Sequence, residues 1–298
     1  MKVGVVMPIG LDDAFGRYST YAELRAMARA TEESGLDSIW VFDHLLFRFP
    51  GERPEGQHEG WTILSALAAE TSRVQLGTLV LAMAFRNPAL LAKMAATLQE
   101  VSDGRLILGV GAGWHEPEFD AFGFPFAGRV GAFEEGVRIL AALLRDGSAS
   151  FEGRHHVARD VVLLPSPAVR TPLLMAARRP RMMRLVAELA DAFNCAWLGP
   201  VSGLEERIAP LRTACAHVGR DFASIELTVG LNVVFGDLVG NGPTPKVSLS
   251  GSTVDIAAGL DDYARAGVGH VMVTTYPSTP EAVRRLADAT TRMRDRTR

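Results

Sequence analysis

The chain has 298 residues, 48% of them hydrophobic and 22% charged, with 34 acidic against 31 basic side chains and a formal net charge of −3. That balance excludes a disordered or fibrous chain and argues against nucleic-acid binding, which needs a basic face to displace counterions from phosphates. Cys195 and Cys215 show neither CxxC spacing nor a disulfide framework, which points to the reducing cytoplasm and away from a structural metal.

From the N-terminus, Lys2 to Met7 reads as a short apolar strand, too short for a secretory signal core. Ser19 to Ser34 reads as a helix that Ser19 or Thr20 caps and Gly35 ends, and Ser38 to Phe42 is the second strand. Trp61 to Thr71 is apolar at helical spacing and leads into a strand over Val74 to Val80. Asn87-Pro88 opens a helix to about Val101, and Arg105 to Val110 is the fourth strand. After a glycine-rich turn come a helix from Arg129 to Arg145 and an irregular stretch, Gly147 to Thr171, where Phe151 to Arg154 suggests a hairpin.

Leu173 to Ala176 resumes the strands, followed by a helix over Pro180 to Ala190, a strand over Phe193 to Trp197, a helix over Ser202 to Val218 and a strand over Ile225 to Val234. Thr253 to Ala266, Val268 to Thr274 and Pro280 to Arg294 complete the series. Eight strands alternating with eight helices predict an α/β fold, a (β/α)8 TIM barrel forming one domain over 1–298, rather than an open doubly wound sheet. No apolar run approaches the ~20 residues of a membrane helix. The basic run Arg292, Arg294, Arg296 and Arg298 reads as a solvated helix end.

Two polar excursions, Phe47 to Gly60 and Gly236 to Gly251, follow strands and therefore lie on the face where barrels build active sites; each reads equally as a lid or as an inconsequential loop. The residues just after each strand carry the chemistry in such a fold. Strand two ends in Asp43-His44, a pair in which His44 can move a proton near neutral pH and Asp43 can orient the ring or contact a ligand. Strand four runs into Gly109 to Gly113 and then Trp114-His115-Glu116. The glycines lack the GxGxxG spacing of a dinucleotide fold and the Walker A pattern, but expose backbone that a flat ring or a phosphate can approach, or else form a plain tight turn.

Strand five ends in Ala176-Ala177-Arg178-Arg179-Pro180, where two guanidinium groups at a helix start favour an anion. The seven histidines include no HxH or HExxH, the adjacent His155-His156 point to opposite faces of a strand, and no GxSxG elbow is present, which disfavours metallo-hydrolase and serine-triad chemistry. Trp61, Trp114 and Phe124 can line a pocket or pack in the core.

Four stretches together resemble the bacterial luciferase-like family of flavin- and deazaflavin-dependent oxidoreductases: Ser38-Ile-Trp-Val-Phe-Asp-His44; Leu76-Gly-Thr-Leu-Val80 with Phe85-Arg-Asn-Pro88; Ala92-Lys-Met-Ala-Ala-Thr-Leu98; and Gly104-Arg-Leu-Ile-Leu-Gly-Val-Gly-Ala-Gly-Trp114. The resemblance implies a luciferase-like barrel with an isoalloxazine-type ring across the strand C-termini and His44, with Asp43, as the active-site pair. It further implies a non-prolyl cis peptide at Leu79-Val80 behind the ring, and cofactor contacts from Ala82, Ala112 and Gly113. Many deazaflavin-using relatives have two glycines before the strand-five proline whose amides hold the cofactor phosphate; here Arg178 and Arg179 follow Ala177 instead, adding charge for a phosphate and for the acidic tail of coenzyme F420.

The resemblance thus implies an F420-dependent oxidoreductase transferring a hydride to or from a small organic molecule. The alternatives are an FMN-dependent monooxygenase using reduced flavin and O2, and a non-catalytic flavin-binding barrel. The sugar-phosphate dehydrogenase branch carries a glutamate directly after the glycine turn where this chain has Trp114, which disfavours that activity. Homodimerisation through the barrel helices is a further implication.

Overall fold

The computed structural model describes residues 1–12, 16–240 and 243–296. Among them eight parallel strands pair side by side in chain order: β1 (Lys2–Val6), β2 (Ser38–Val41), β3 (Gln75–Thr78), β4 (Leu106–Gly111), β5 (Leu173–Ala176), β6 (Ala192–Leu198), β7 (Glu226–Val234) and β8 (His270–Tyr276). Because β4 pairs with β5 and β8 returns to β1, the sheet closes into the barrel that the alternation predicts.

The helices are α1 (Tyr21–Glu33), α2 (Gly60–Glu70), α3 (Pro88–Val101), α4 (Glu116–Phe122), α5 (Arg129–Asp146), α6 (Pro180–Leu189), α7 (Leu204–Val218), α8 (Gly236–Val239), α9 (Thr253–Arg265) and α10 (Pro280–Arg296). Local sequence sets their ends. Thr20 and Glu23 form a reciprocal capping box at the start of α1, and the Asn87 side chain accepts from the amides of Ala89 and Leu90 ahead of Pro88. Helices α4 and α8 escape the sequence reading because seven and four residues are too few to show a helical period.

Two apolar layers result. Aliphatic side chains of the strands and the inner faces of the helices form the outer one, while Val6, Trp40, Leu79, Ile107, Leu174, Ala192 and Met272 plug the barrel. Trp40 fits inside because its neighbours are glycines: a Cβ at Gly77 would stand 2.1 Å from the indole. The indole Nε1 donates to Ser38 Oγ at 2.7 Å, and Ser38 Oγ lies 2.7 Å from Nε2 of buried His270.

Burial, with the positive charge of Lys2 and the N-terminus nearby, pushes the His270 imidazole down to about 3. An unfolded imidazole titrates near ~6.5. Between these values the unfolded chain binds the extra proton, so stability falls as pH drops below about 6.5, and the loss is complete only below the folded pKa. By pH 5 this group alone costs about 2 kcal/mol. Urea midpoints followed from pH 7.5 to 5 should therefore decline less steeply in His270→Gln than in the parent, and parallel declines would remove His270 as the cause.

The stretch after α5 holds an antiparallel hairpin, Ser148–Glu152 with Val157–Val162, larger than the Phe151 to Arg154 element that the sequence suggests. His155 and His156 sit in its turn and not along a strand. Glu135 accepts the amides of Arg154, His155 and His156, and this fixes the turn. In the first excursion Leu46–Phe47 pairs with Glu55–Gly56. In the second, α8 is followed by Leu249–Ser250, which lies parallel to Val233 and Val234 of β7; residues 241 and 242 of that excursion lie outside the described residues, as does Arg298 of the basic run. Among the described residues, no helix is long and apolar enough to cross a membrane.

Candidate active site

The C-terminal ends of β2 to β5 bring most of the expected residues to one rim. Asp43 follows β2 and is 3% exposed. Its carboxylate takes a two-pronged contact from Arg86, at 2.6 and 2.9 Å, and accepts the Ala82 amide at 2.8 Å. Arg86 also reaches Glu59, which caps α2. Burial pushes the Asp43 carboxyl up from the usual range, opposed by the guanidinium and by the Ala82 amide. Asp43 therefore reaches the rim through the Ala82 backbone that it holds.

The peptide between Leu79 and Val80 is cis, as the resemblance implies; a second non-prolyl cis peptide, Ala196-Trp197, falls where the β6–β7 register shifts. After the Leu79-Val80 bond, Leu81–Ala82 runs alongside Val110–Gly111 of β4. The glycine-rich segment begins later than its sequence suggests. Gly109 and Gly111 belong to β4, and Gly109 is demanded by packing, since a Cβ there would stand 1.9 Å from the Thr78 carbonyl oxygen. Only at Ala112 does the chain leave the strand, and Gly113, at φ +75°, turns it; a Cβ at Gly113 would strike the Phe119 ring at 2.5 Å. Ala112, Gly113, Ala176 and Ala177, each half-buried, thus make a rim with little side chain to cover its backbone, and Ala82 and Gly111 lie buried beside it.

His44 stands at this rim with its side chain 19% exposed. Of the two roles that the sequence allows Asp43, orienting the ring or contacting a ligand, the structure gives the first to Glu118 of α4, whose Oε1 lies 2.9 Å from His44 Nδ1. The Glu118 side chain is 1% exposed and its second oxygen accepts the Leu45 and Leu46 amides. No sequence motif marks Glu118, which is 74 residues from His44; the short α4 that carries it is below the reach of periodicity.

Rings surround the histidine. Phe47 lies 4.3 Å from it by centroids, Trp114 5.4 Å edge-on and Phe42 6.2 Å. Of the three pocket aromatics considered from sequence, only Trp114 is here, 58% exposed. Trp61 is in the core and Phe124 packs on Phe85. Buried His115 accepts the Arg48 amide at 3.0 Å and packs on Phe47 and Phe49, so it anchors the first excursion; burial pushes its pKa down, in keeping with the neutral ring this contact requires.

Arg178 and Arg179 lie beyond β5, both exposed, with Arg179 at the N-cap of α6 and Pro180 in its first turn. Other arginines of this region are engaged: Arg181 with Glu134, Arg138 with Glu134 and Glu188, Arg184 with Glu188. The Arg179 carbonyl accepts the Met183 amide at 2.9 Å, but neither the Arg178 nor the Arg179 side chain makes a hydrogen bond or ion pair with the described residues. Two uncommitted guanidinium groups beside an uncovered backbone rim suit a flat ring carrying an anionic tail.

The model of the luciferase-like monooxygenase family matches residues 1–238. An "F420-dependent glucose-6-phosphate dehydrogenase" of Amycolatopsis mediterranei is 35% identical over 179 residues, 58% of this chain and 53% of the relative. The "Pyrimidine monooxygenase RutA" of Allorhizobium ampelinum is 29% identical, covering 74% of this chain and 64% of the relative. The chain thus spans roughly half to two thirds of the length of these curated relatives. A solved "F420-dependent secondary alcohol dehydrogenase in complex with an F420-acetone adduct" superposes with a TM-score of 0.79 over 99% of both chains at 19% identity, a likeness of fold.

Proposed function

Because this chain belongs to the luciferase-like monooxygenase family, we propose that it is an oxidoreductase that passes a hydride between coenzyme F420 and a small organic substrate, with His44 moving the accompanying proton. The observation that carries the reading is the uncommitted pair Arg178 and Arg179 beside the glycine and alanine rim. When bound, the deazaflavin supplies a ring carbon that takes or gives a hydride. Everything else falls to the protein's own residues. Arg178 and Arg179 hold the phosphate and acidic tail, Ala112 and Gly113 offer backbone to the ring together with Ala82, Leu79, Val80 and Ala177, and Asp43 with Arg86 fixes the Ala82 backbone. His44 takes a proton from, or returns it to, an oxygen of the substrate, and Phe47 and Trp114 keep water from that exchange.

The same aromatic wall favours a second reading, a monooxygenase that uses reduced FMN and O2, because an oxygenated flavin must be shielded from water. Equilibrium binding of F420 and FMN, each oxidised and reduced, separates the two. The proposal requires micromolar F420 binding that weakens about tenfold in Arg178→Ala/Arg179→Ala, more at low salt than at moderate salt. Preference for reduced FMN would replace it with the oxygenase reading, and failure to bind either would leave a non-catalytic barrel.

A further inference from the structure

We propose that Glu118 is the positioning residue that decides which nitrogen of His44 carries the hydrogen, leaving Nε2 as the proton acceptor; the catalytic consequence rests on the reading of His44 as the proton-moving group, whereas the tautomer itself does not. A carboxylate only accepts hydrogen bonds, and backbone amides only donate them. The Leu45 and Leu46 amides both point to Oε2, at 3.0 and 3.4 Å, and fix Glu118 as an acceptor. Its Oε1, 2.9 Å from His44 Nδ1, is then satisfied only by an Nδ1–H. A neutral His44 is consequently held with its lone pair on Nε2, a nitrogen that finds no partner among the described residues while the ring packs against Phe42, Phe47 and Trp114.

The arrangement does two things for a proton transfer. As a substrate O–H bond breaks and an Nε2–H bond forms, the pair left on oxygen becomes the second bond of a carbonyl while the neighbouring carbon gives up its hydride, with the C–H pair, to the deazaflavin that would accept it, and the buried carboxylate stabilises the imidazolium that results. In the opposite direction the imidazolium returns that proton to the oxygen. Because Glu118 leaves bulk solvent while two amides hold it in place, it acts without needing to touch the substrate or the cofactor.

A near-isosteric substitution reverses the geometry. In Glu118→Gln the side chain keeps one acceptor oxygen. The Leu45 and Leu46 amides claim it, so the new NH2 faces Nδ1 and forces the hydrogen onto Nε2. Protein labelled with 15N-histidine, studied without cofactor at a pH where the ring is neutral, reports the tautomer through long-range proton–nitrogen correlations, with His44 assigned by comparison with His44→Gln.

The expected result is Nδ1–H in the parent, Nε2–H in Glu118→Gln, an unchanged cofactor dissociation constant within about threefold, and turnover lowered about 10²-fold or more. Nε2–H in the parent, the same tautomer in both proteins, or a switched tautomer with undiminished turnover would each overturn the proposal. If Glu118→Gln does not fold, the parent spectrum alone decides: Nδ1–H supports the assignment and Nε2–H refutes it. Failure of the parent to bind F420 would sink the cofactor reading and leave the tautomer measurement standing.

Discussion

His44→Ala should bind F420 as the parent does and turn over about 10²- to 10⁴-fold more slowly, the range that a positioned acid–base group contributes. The two readouts separate because His44 faces the rim without holding it. The Ala82 backbone is fixed by Asp43, and the Ala112–Gly113 turn follows β4 into α4. Removing the imidazole leaves buried Glu118 with its two backbone donors but without a partner for Oε1, so the cost in stability is about 1–3 kcal/mol. Cofactor affinity by fluorescence titration and turnover against a panel of small alcohols and their carbonyl counterparts make the comparison. Loss of both together would mean that the ring is part of the binding surface, and loss of neither would remove His44 from the chemistry.

Arg86→Met is expected to destabilise the fold by about 3–5 kcal/mol, since it leaves the Asp43 carboxylate buried without its counter-charge. Both prongs of the guanidinium end on Asp43, and Glu59 loses the same partner. The Ala82 amide alone cannot offset the desolvation of a charge that is 3% exposed. Asp43→Asn combined with Arg86→Met removes the orphaned charge and should recover part of the loss, which a double-mutant cycle in urea will read as coupling. A cost below about 1 kcal/mol for Arg86→Met would show that the pair is solvated and does not fix the Ala82 backbone. Since Ala82 sits on the proposed ring-binding rim, the folded fraction of Arg86→Met should also bind cofactor more weakly.

The barrel itself was legible because its signals are local. Leu173 to Ala176 appears as read, and most other boundaries shift by one or two residues, as at Ser38–Val41 against Ser38 to Phe42. The caps at Thr20 and Asn87 act over three residues, within reach of any sequence window. The strand-end positions of His44, Asp43, Ala112 and Arg178 follow from the alternation alone, because a closed parallel barrel turns every strand C-terminus toward one face.

What joins these positions was not legible. Glu118 meets His44 across 74 residues, Arg86 meets Asp43 across 43, and Arg138 and Arg181 are engaged while Arg178 and Arg179 are not. Each of those outcomes depends on which loop lies beside which once β4 has closed on β5, and on side-chain reach across the rim, quantities that no periodicity records. The alternation, the caps, the rim positions and the family resemblance are all written locally in the chain, since they repeat or recur within short windows. That Asp43 serves Arg86 and the Ala82 amide, that Glu118 holds His44, and that the glycines of β4 answer to strand packing emerges from folding, because these are set by burial and by contacts between segments far apart in the chain.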